Sequence, residues 1–218
     1  MKKLFLVAAA FIIGSAAYAQ TSSVGTTKFG LKAGVNLPKY KYELDDTSTD
    51  SEVNTNFHIT GYADIPLTGG LSLQPGISLQ GKGGKNSWTV LGVETVSKVN
   101  TMSIDIPVNI VGYIPAGPGS FFIGAGPYVG FNVSGKAKTT IGGGTESEED
   151  LNFGNNSDDD LKPIDFGLNG LVGYQFSSGF NIGAGYGLGL SNLYPGSEAD
   201  DNSKINNRVL SFSIGFAF

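Results

Sequence analysis

Eight segments with apolar residues at every second position, connections that alternate between short and long, and an export signal at the N-terminus predict an all-β fold. Together they specify an eight-stranded antiparallel transmembrane β-barrel, an up-and-down meander with short periplasmic turns and long extracellular loops. The clearest segment is the last. Leu210, Phe212, Ile214, Phe216 and Phe218 alternate with Ser211, Ser213, Gly215 and Ala217, which gives a strand with one apolar face and one small, polar face. It finishes on an aromatic side chain, as the final strand of a bacterial outer-membrane barrel usually does.

The export signal has three parts in order: Lys2 and Lys3, the apolar run from Leu4 to Ile13, and the small-residue site Ala17-Tyr18-Ala19. The apolar run is too short to cross a bilayer as a helix, which takes about 20 residues. Residues 1–19 are therefore read as a signal peptide, and 20–218 as one outer-membrane barrel domain. Removal of Lys2 and Lys3 takes the formal charge from −5 to −7, which argues against nucleic acid as a partner. The absence of cysteine excludes disulfides and a lipid-anchoring thiol. With 33 glycines the chain suits strands better than helices, since each glycine costs about 1 kcal/mol in a helix interior.

The strands follow from period-2 alternation. The first runs Phe29, Leu31, Ala33, Val35, Leu37, opposed by Gly30, Lys32, Gly34 and Asn36. The second is Phe57 to Ile65, opposed by His58, Thr60, Tyr62 and Asp64; the third, Leu71 to Leu79, is opposed by Ser72, Gln74, Gly76, Ser78 and Gln80. Met102 to Ile110 is opposed by Ser103, Asp105, Pro107 and Asn109, and Phe121 to Val133 by Phe122, Gly124, Gly126, Tyr128 and Gly130. Ile164 to Phe176 sets Asp165, Gly167, Asn169, Gly173 and Gln175 on its second face. Phe180 to Leu190 sets there Asn181 and a row of four glycines at 183, 185, 187 and 189. The opposing faces lack the lysines and glutamates that a water-facing sheet would carry, so they suit a narrow interior. Short connections are expected at 67–70, 112–119 and 177–179, and long ones at 38–54, 81–98, 135–162 and 192–207. Aromatic residues near strand ends, Phe29, Phe121, Tyr174, Phe176, Phe180 and Phe218, sit where membrane girdles form.

The stretches K-F-G-L-K-A-G-V-N (28–36), I-D-I-P-V-N-I (104–110) and P-I-D-F-G-L-N-G-L-V-G-Y (163–174), with the aromatic last strand, resemble the PorT-like outer-membrane β-barrel family of Bacteroidetes. The resemblance spans essentially the whole mature chain. It implies an eight-stranded barrel in the Gram-negative outer membrane and supplies no catalytic residues.

An interior of eight strands is just wide enough for side chains to fill, and glycines there make room for Tyr62, Phe122 and Tyr128. The inward ionisable groups, Lys32, His58, Asp64, Asp105 and Asp165, are expected to form a lumen polar network, with Lys32 bonded to one or more aspartates, because buried charges must be paired. The all-glycine row motivates the alternative of a narrow pore. His58, the sole histidine, marks a third reading, a rim-sited hydrolase, but no acidic partner is visible at its level except loop residues or Asp165, and no catalytic site is expected. The glycine strings lack the spacing and following helix of a nucleotide loop, and no cofactor is expected. Asp158, Asp159 and Asp160 are weak calcium candidates without EF-hand spacing. The partners expected are outer-membrane lipid, lipopolysaccharide, and a protein or surface ligand at the loops; the role is structural or interactive, in envelope integrity, adhesion or assembly.

Overall fold

The computed structural model describes residues 25–45, 47–196 and 203–218; the export signal lies outside them. Ten antiparallel strands form one sheet: β1 Lys28–Leu44, β2 Thr47–Asp50, β3 Asn56–Thr68, β4 Leu71–Val90, β5 Val93–Ala116, β6 Gly119–Ile141, β7 Thr145–Asp150, β8 Ile164–Phe176, β9 Phe180–Gly189 and β10 Ser203–Ala217. The count of eight expected from the sequence is corrected to ten. The two additions, β2 and β7, are short strands that fold back onto the ends of β1 and β6 within segments read as loops. Their charged sequences, T-S-T-D and T-E-S-E-E-D, carry no apolar alternation, so only backbone pairing defines them. The other strands run in the order β1-β3-β4-β5-β6-β8-β9-β10. β10 pairs back onto β1 from Gly30↔Ala217 to Leu44↔Ser203, and Phe29 and Phe218 exchange both backbone hydrogen bonds. The long edges are thus paired with each other, which removes the exposed N–H and C=O rows of an open sheet.

One end of the sheet holds the tight turns at 69–70, 117–118 and 177–179, together with residue 25 and Phe218; the opposite end holds the other connections. A strand crosses a bilayer in about 9–11 tilted residues. β3, β8 and β9, with 13, 13 and 10 residues, are near that length. β4, β5 and β6 have 20, 24 and 23 residues and continue beyond the loop end as a blade, which β7 extends. The segment 81–98, read as a loop, is instead the upper half of the β4–β5 hairpin. It closes on a two-residue turn at Leu91 and Gly92, both left-handed with φ of 52° and 80°.

Polarity is inverted relative to a water-soluble core. Facing outward and exposed are Leu31, Val35, Phe57, Ile59, Ile110, Ile123, Phe166, Val172, Ile182, Phe212 and Ile214. Buried inside are Asn36, His58, Thr60, Ser78, Ser103, Asp105 and Asp165. At the turn end the outer face carries an aromatic chain, Phe121–Tyr174–Phe176–Phe180, with centroids 5.0, 4.9 and 5.8 Å apart. The Tyr174 hydroxyl donates to the Ala116 carbonyl at 2.6 Å, the arrangement of an interfacial aromatic with one polar end.

Candidate functional site in the barrel interior

Three polar clusters fill the interior. Toward the loop end, β5, β6 and β8 place Asp105, Gly130 and Asp165 in one register row. Gly130 has no side chain, and a Cβ there would meet Asp105 and crowd the Lys82 ammonium. Lys82 fills that space from β4. Its Nζ lies 2.8 Å from Asp105 Oδ2 and 3.1 Å from Asp165 Oδ2, and 4.8 Å from the Tyr128 ring centroid. Asp165, with no accessible surface, also accepts from Ser191 Oγ at 2.6 Å, Asn207 Nδ2 at 2.8 Å and the Tyr128 hydroxyl at 3.1 Å. Ser103 Oγ donates to Asp105 at 2.7 Å. One buried cation, two carboxylates and neutral donors satisfy one another.

Above this cluster the loop end is covered by an apolar cap. Tyr40, Leu161 and Leu193 are buried, with Tyr42, Val99, Leu151, Phe153 and Ile205 packed against them. The β7–β8 connection reaches the mouth through Lys162 N–H to the Leu193 carbonyl, and Leu193 N–H bonds the Ile205 carbonyl of β10, both at 2.9 Å.

Below lies the second cluster. Asn36 Nδ2 donates to Gln80 Oε1 at 2.7 Å and to the Gly81 carbonyl at 3.0 Å, so its Oδ1 is the acceptor facing His58 Nδ1 at 2.8 Å. That contact makes Nδ1 the protonated nitrogen of His58. Thr60 and Ser78 share a 2.5 Å hydroxyl contact, and Gln80 Nε2 donates to Ser78 at 2.8 Å. The third cluster is nearer the turns: Gln74 Nε2 donates to the Tyr113 hydroxyl at 2.8 Å, which donates to Asp64 Oδ2 at 2.7 Å.

The sequence-expected residues Lys32, His58, Asp64, Asp105 and Asp165 therefore all face inward but do not form one network. Asp105 and Asp165 meet through a common cation, and that cation is Lys82, not Lys32. Among the described residues Lys32 has no carboxylate in ion-pair range, and its Nζ lies 5.7 Å from the Tyr62 ring centroid. Lys82 was missed because glycine occupies both 81 and 83, which erases the apolar half of the alternation. The inward series Ser78, Gln80, Lys82 is the signal that would have found it. The interior aromatics lie over glycines: Tyr62 over Gly30, Phe122 over Gly173, Tyr128 against Gly167.

A family model for the outer membrane protein β-barrel domain matches residues 18–194. The chain belongs to that family. Its membership accounts for the inverted polarity and supports an outer-membrane location. Among solved structures the barrel is similar to Ail, the attachment invasion locus protein of Yersinia pestis, crystallised with the heparin analogue sucrose octasulfate. The two are 15% identical, over 88% of this chain and 100% of that one, with a TM-score of 0.39. It is also similar to Neisserial surface protein A, NspA, at 14% identity over 89% and 100% with a TM-score of 0.43. The N-terminal β-barrel domain of Pseudomonas aeruginosa OprF follows at 9% identity over 86% and 97%, TM-score 0.35. No curated protein matches the barrel in sequence.

Among the described residues no three acidic or histidine side chains converge as a metal site. Asp159 and Asp160, two of the calcium candidates, instead accept backbone N–H bonds from Asn156 and Asn152, each at 2.8 Å. Asp158 joins no cluster with them.

Proposed function

We propose that this protein is an eight-stranded transmembrane meander, with β2 and β7 as appendages, exported by residues 1–19 and seated with its turns in the periplasm. On this reading it belongs to the PorT-like group, contacts outer-membrane lipid and lipopolysaccharide through its apolar girth, and has no catalytic role. Its work is interactive, in adhesion or envelope assembly, through the blade of β4, β5, β6 and β7.

The observation that carries this is Leu91. It is fully exposed at the blade tip in a left-handed conformation that costs an ordinary side chain about 1–2 kcal/mol and that Asn or Gly adopts freely. Trp88, Val90 and Val93 are exposed beside it. An apolar, strained residue where local rules call for a small polar one marks a functional position. The test is Leu91→Asn, which keeps the turn. Cells or vesicles bearing the variant are expected to lose binding to the surface that retains the wild type, with heat-modifiable gel mobility unchanged. Undiminished binding sinks the tip as the contact.

The narrow-pore reading is favoured by one observation, the glycine row of β9, where a Cβ at Gly187 would find no atom nearer than 3.7 Å. The cap of Leu161 and Leu193 over the Lys82 cluster supports the sealed alternative. Silence in planar bilayers supports the seal; steady unitary openings support the pore.

A further inference from the structure

The interior holds a cavity of about 110 Å³ below the Lys82 cluster. A single water needs about 10–15 Å³ of such space, so this one has room for about seven to eleven waters or for a small organic molecule in their place. It reaches from Lys82 and Asp105 down to Gln175 and Asn181, with Gly183, Gly185 and Gly187 as one wall.

Among the described residues, three polar groups on that lining have no hydrogen-bond or ion-pair partner. Lys32 presents an ammonium with no carboxylate in range among the described residues. His58, buried at 4% exposure, spends Nδ1 on Asn36, which leaves Nε2 as a lone-pair acceptor with no donor among the described residues. Asn109, 5% exposed, makes no side-chain hydrogen bond, and its buried Oδ1 has no partner. A buried polar group left unmade costs about 1–3 kcal/mol, yet the neighbouring Asp105 and Asp165 are fully bonded. Two other buried oxygens, Asp64 Oδ1 and Asn207 Oδ1, also lack a partner, but their residues lie outside the cavity lining.

The set on this lining has a definite chemistry: one cationic donor and two neutral acceptors. A bare anion would meet Lys32 but be opposed by His58 Nε2 and Asn109 Oδ1. A bare cation would be opposed by Lys32. We propose that the cavity binds a small carboxylate that also carries a hydrogen-bond donor, an α-amino or α-hydroxy acid of about three carbons. The carboxylate meets Lys32 and the amine or hydroxyl meets His58 Nε2 and Asn109 Oδ1. The glycine wall keeps that volume open, since side chains at 183, 185 and 187 would enter it.

The test uses the ¹⁵N-labelled full barrel in nanodiscs and three near-isosteric probes: L-alanine, L-lactate and propionate, at constant ionic strength. Glycine amides fall in their own spectral region, so the wall at 183, 185 and 187 reports directly. Saturable shifts are expected there with alanine or lactate, and the tighter of the two identifies the donor as amine or hydroxyl. Propionate, which lacks the donor, is expected to bind about three- to tenfold more weakly. Lys32→Met is expected to weaken binding about tenfold or more, and Lys32→Arg to retain part of it. Asn109→Leu, which deletes no existing bond, is expected to remove part of the advantage over propionate and keeps the test decisive if Lys32→Met fails to fold. Absence of saturable shifts, propionate binding as tightly as both other probes, or shifts indifferent to Lys32 or to Asn109 overturns the assignment.

Discussion

Lys82 and Lys32 are both inward lysines, yet their surroundings differ sharply. Lys82 is ion-paired to two buried aspartates, and removing one partner of such a group costs about 3–5 kcal/mol, because a buried charge is left uncompensated. Lys82→Met should therefore lower the urea midpoint of the refolded barrel by that amount. A triple change that also makes Asp105 and Asp165 asparagines should recover most of the loss. Lys32→Met removes no pair and should shift the midpoint by less than about 1 kcal/mol. Equal losses for the two lysines, read by urea titration of the gel shift, would count against the pairing described. The alternation puts Lys32, His58, Asp64, Asp105 and Asp165 on one face of their strands, because that follows from period two alone. It misassigned the cation, because the partner choice depends on Gly130 leaving a gap between two strands, and no local pattern records that.

At the scale of strands, glycines divide by the face they occupy. Gly173 lies beneath Phe122, and an added Cβ would collide with that ring and with the Ile182 carbonyl. Gly61 and Gly170 face outward with open space around the same position. Gly173→Ala should destabilise by about 1–3 kcal/mol through overpacking. Gly61→Ala should be neutral or stabilising by about 0.4–1 kcal/mol, since it restricts only the unfolded chain. Thermal melts of the two variants in the same detergent check the contrast.

The blade gives a pH prediction at the same scale. Glu52 is held below the usual carboxylate range by hydrogen bonds from Lys85 and Ser87, and Glu148 by its bond and charge contact with Lys136. A carboxylate whose folded pKa is lowered contributes stability present above the unfolded value, about 4.3. That contribution is lost as pH falls through the lowered folded value. The blade should thus stay ordered at pH 5 and loosen at more acid pH while the barrel persists. Fluorescence of Trp88, the sole tryptophan, should change in that acid range, with heat-modifiability retained. A change centred at pH 6 or above would remove these carboxylates as its cause.

For the whole molecule, the paired β1–β10 seam predicts resistance to SDS until boiling, since every long edge is bonded and detergent finds no open strand. Boiled and unboiled samples should migrate differently on a gel. Deleting Leu210 to Phe218 should abolish the difference by removing the strand that meets β1. Retention of the shift after that truncation would mean that another strand can close the sheet.

The alternating segments, and the face each of their residues takes, were determined by the sequence itself. Alternation is a local property, enforced wherever an apolar outer face and a narrow polar interior penalise a one-residue slip. The glycine row of β9 and the inward aspartates were legible for the same reason. Only the tertiary structure decided that β2 and β7 exist, that 81–98 is a hairpin, that Leu161 and Leu193 cap the mouth, and that Lys82 joins Asp165 across 83 residues of chain. Those features depend on which strands become neighbours and on volumes left empty between them. The same holds for the cavity, whose unsatisfied lysine, histidine and asparagine come from three different strands and acquire a common chemistry only when the sheet closes around them.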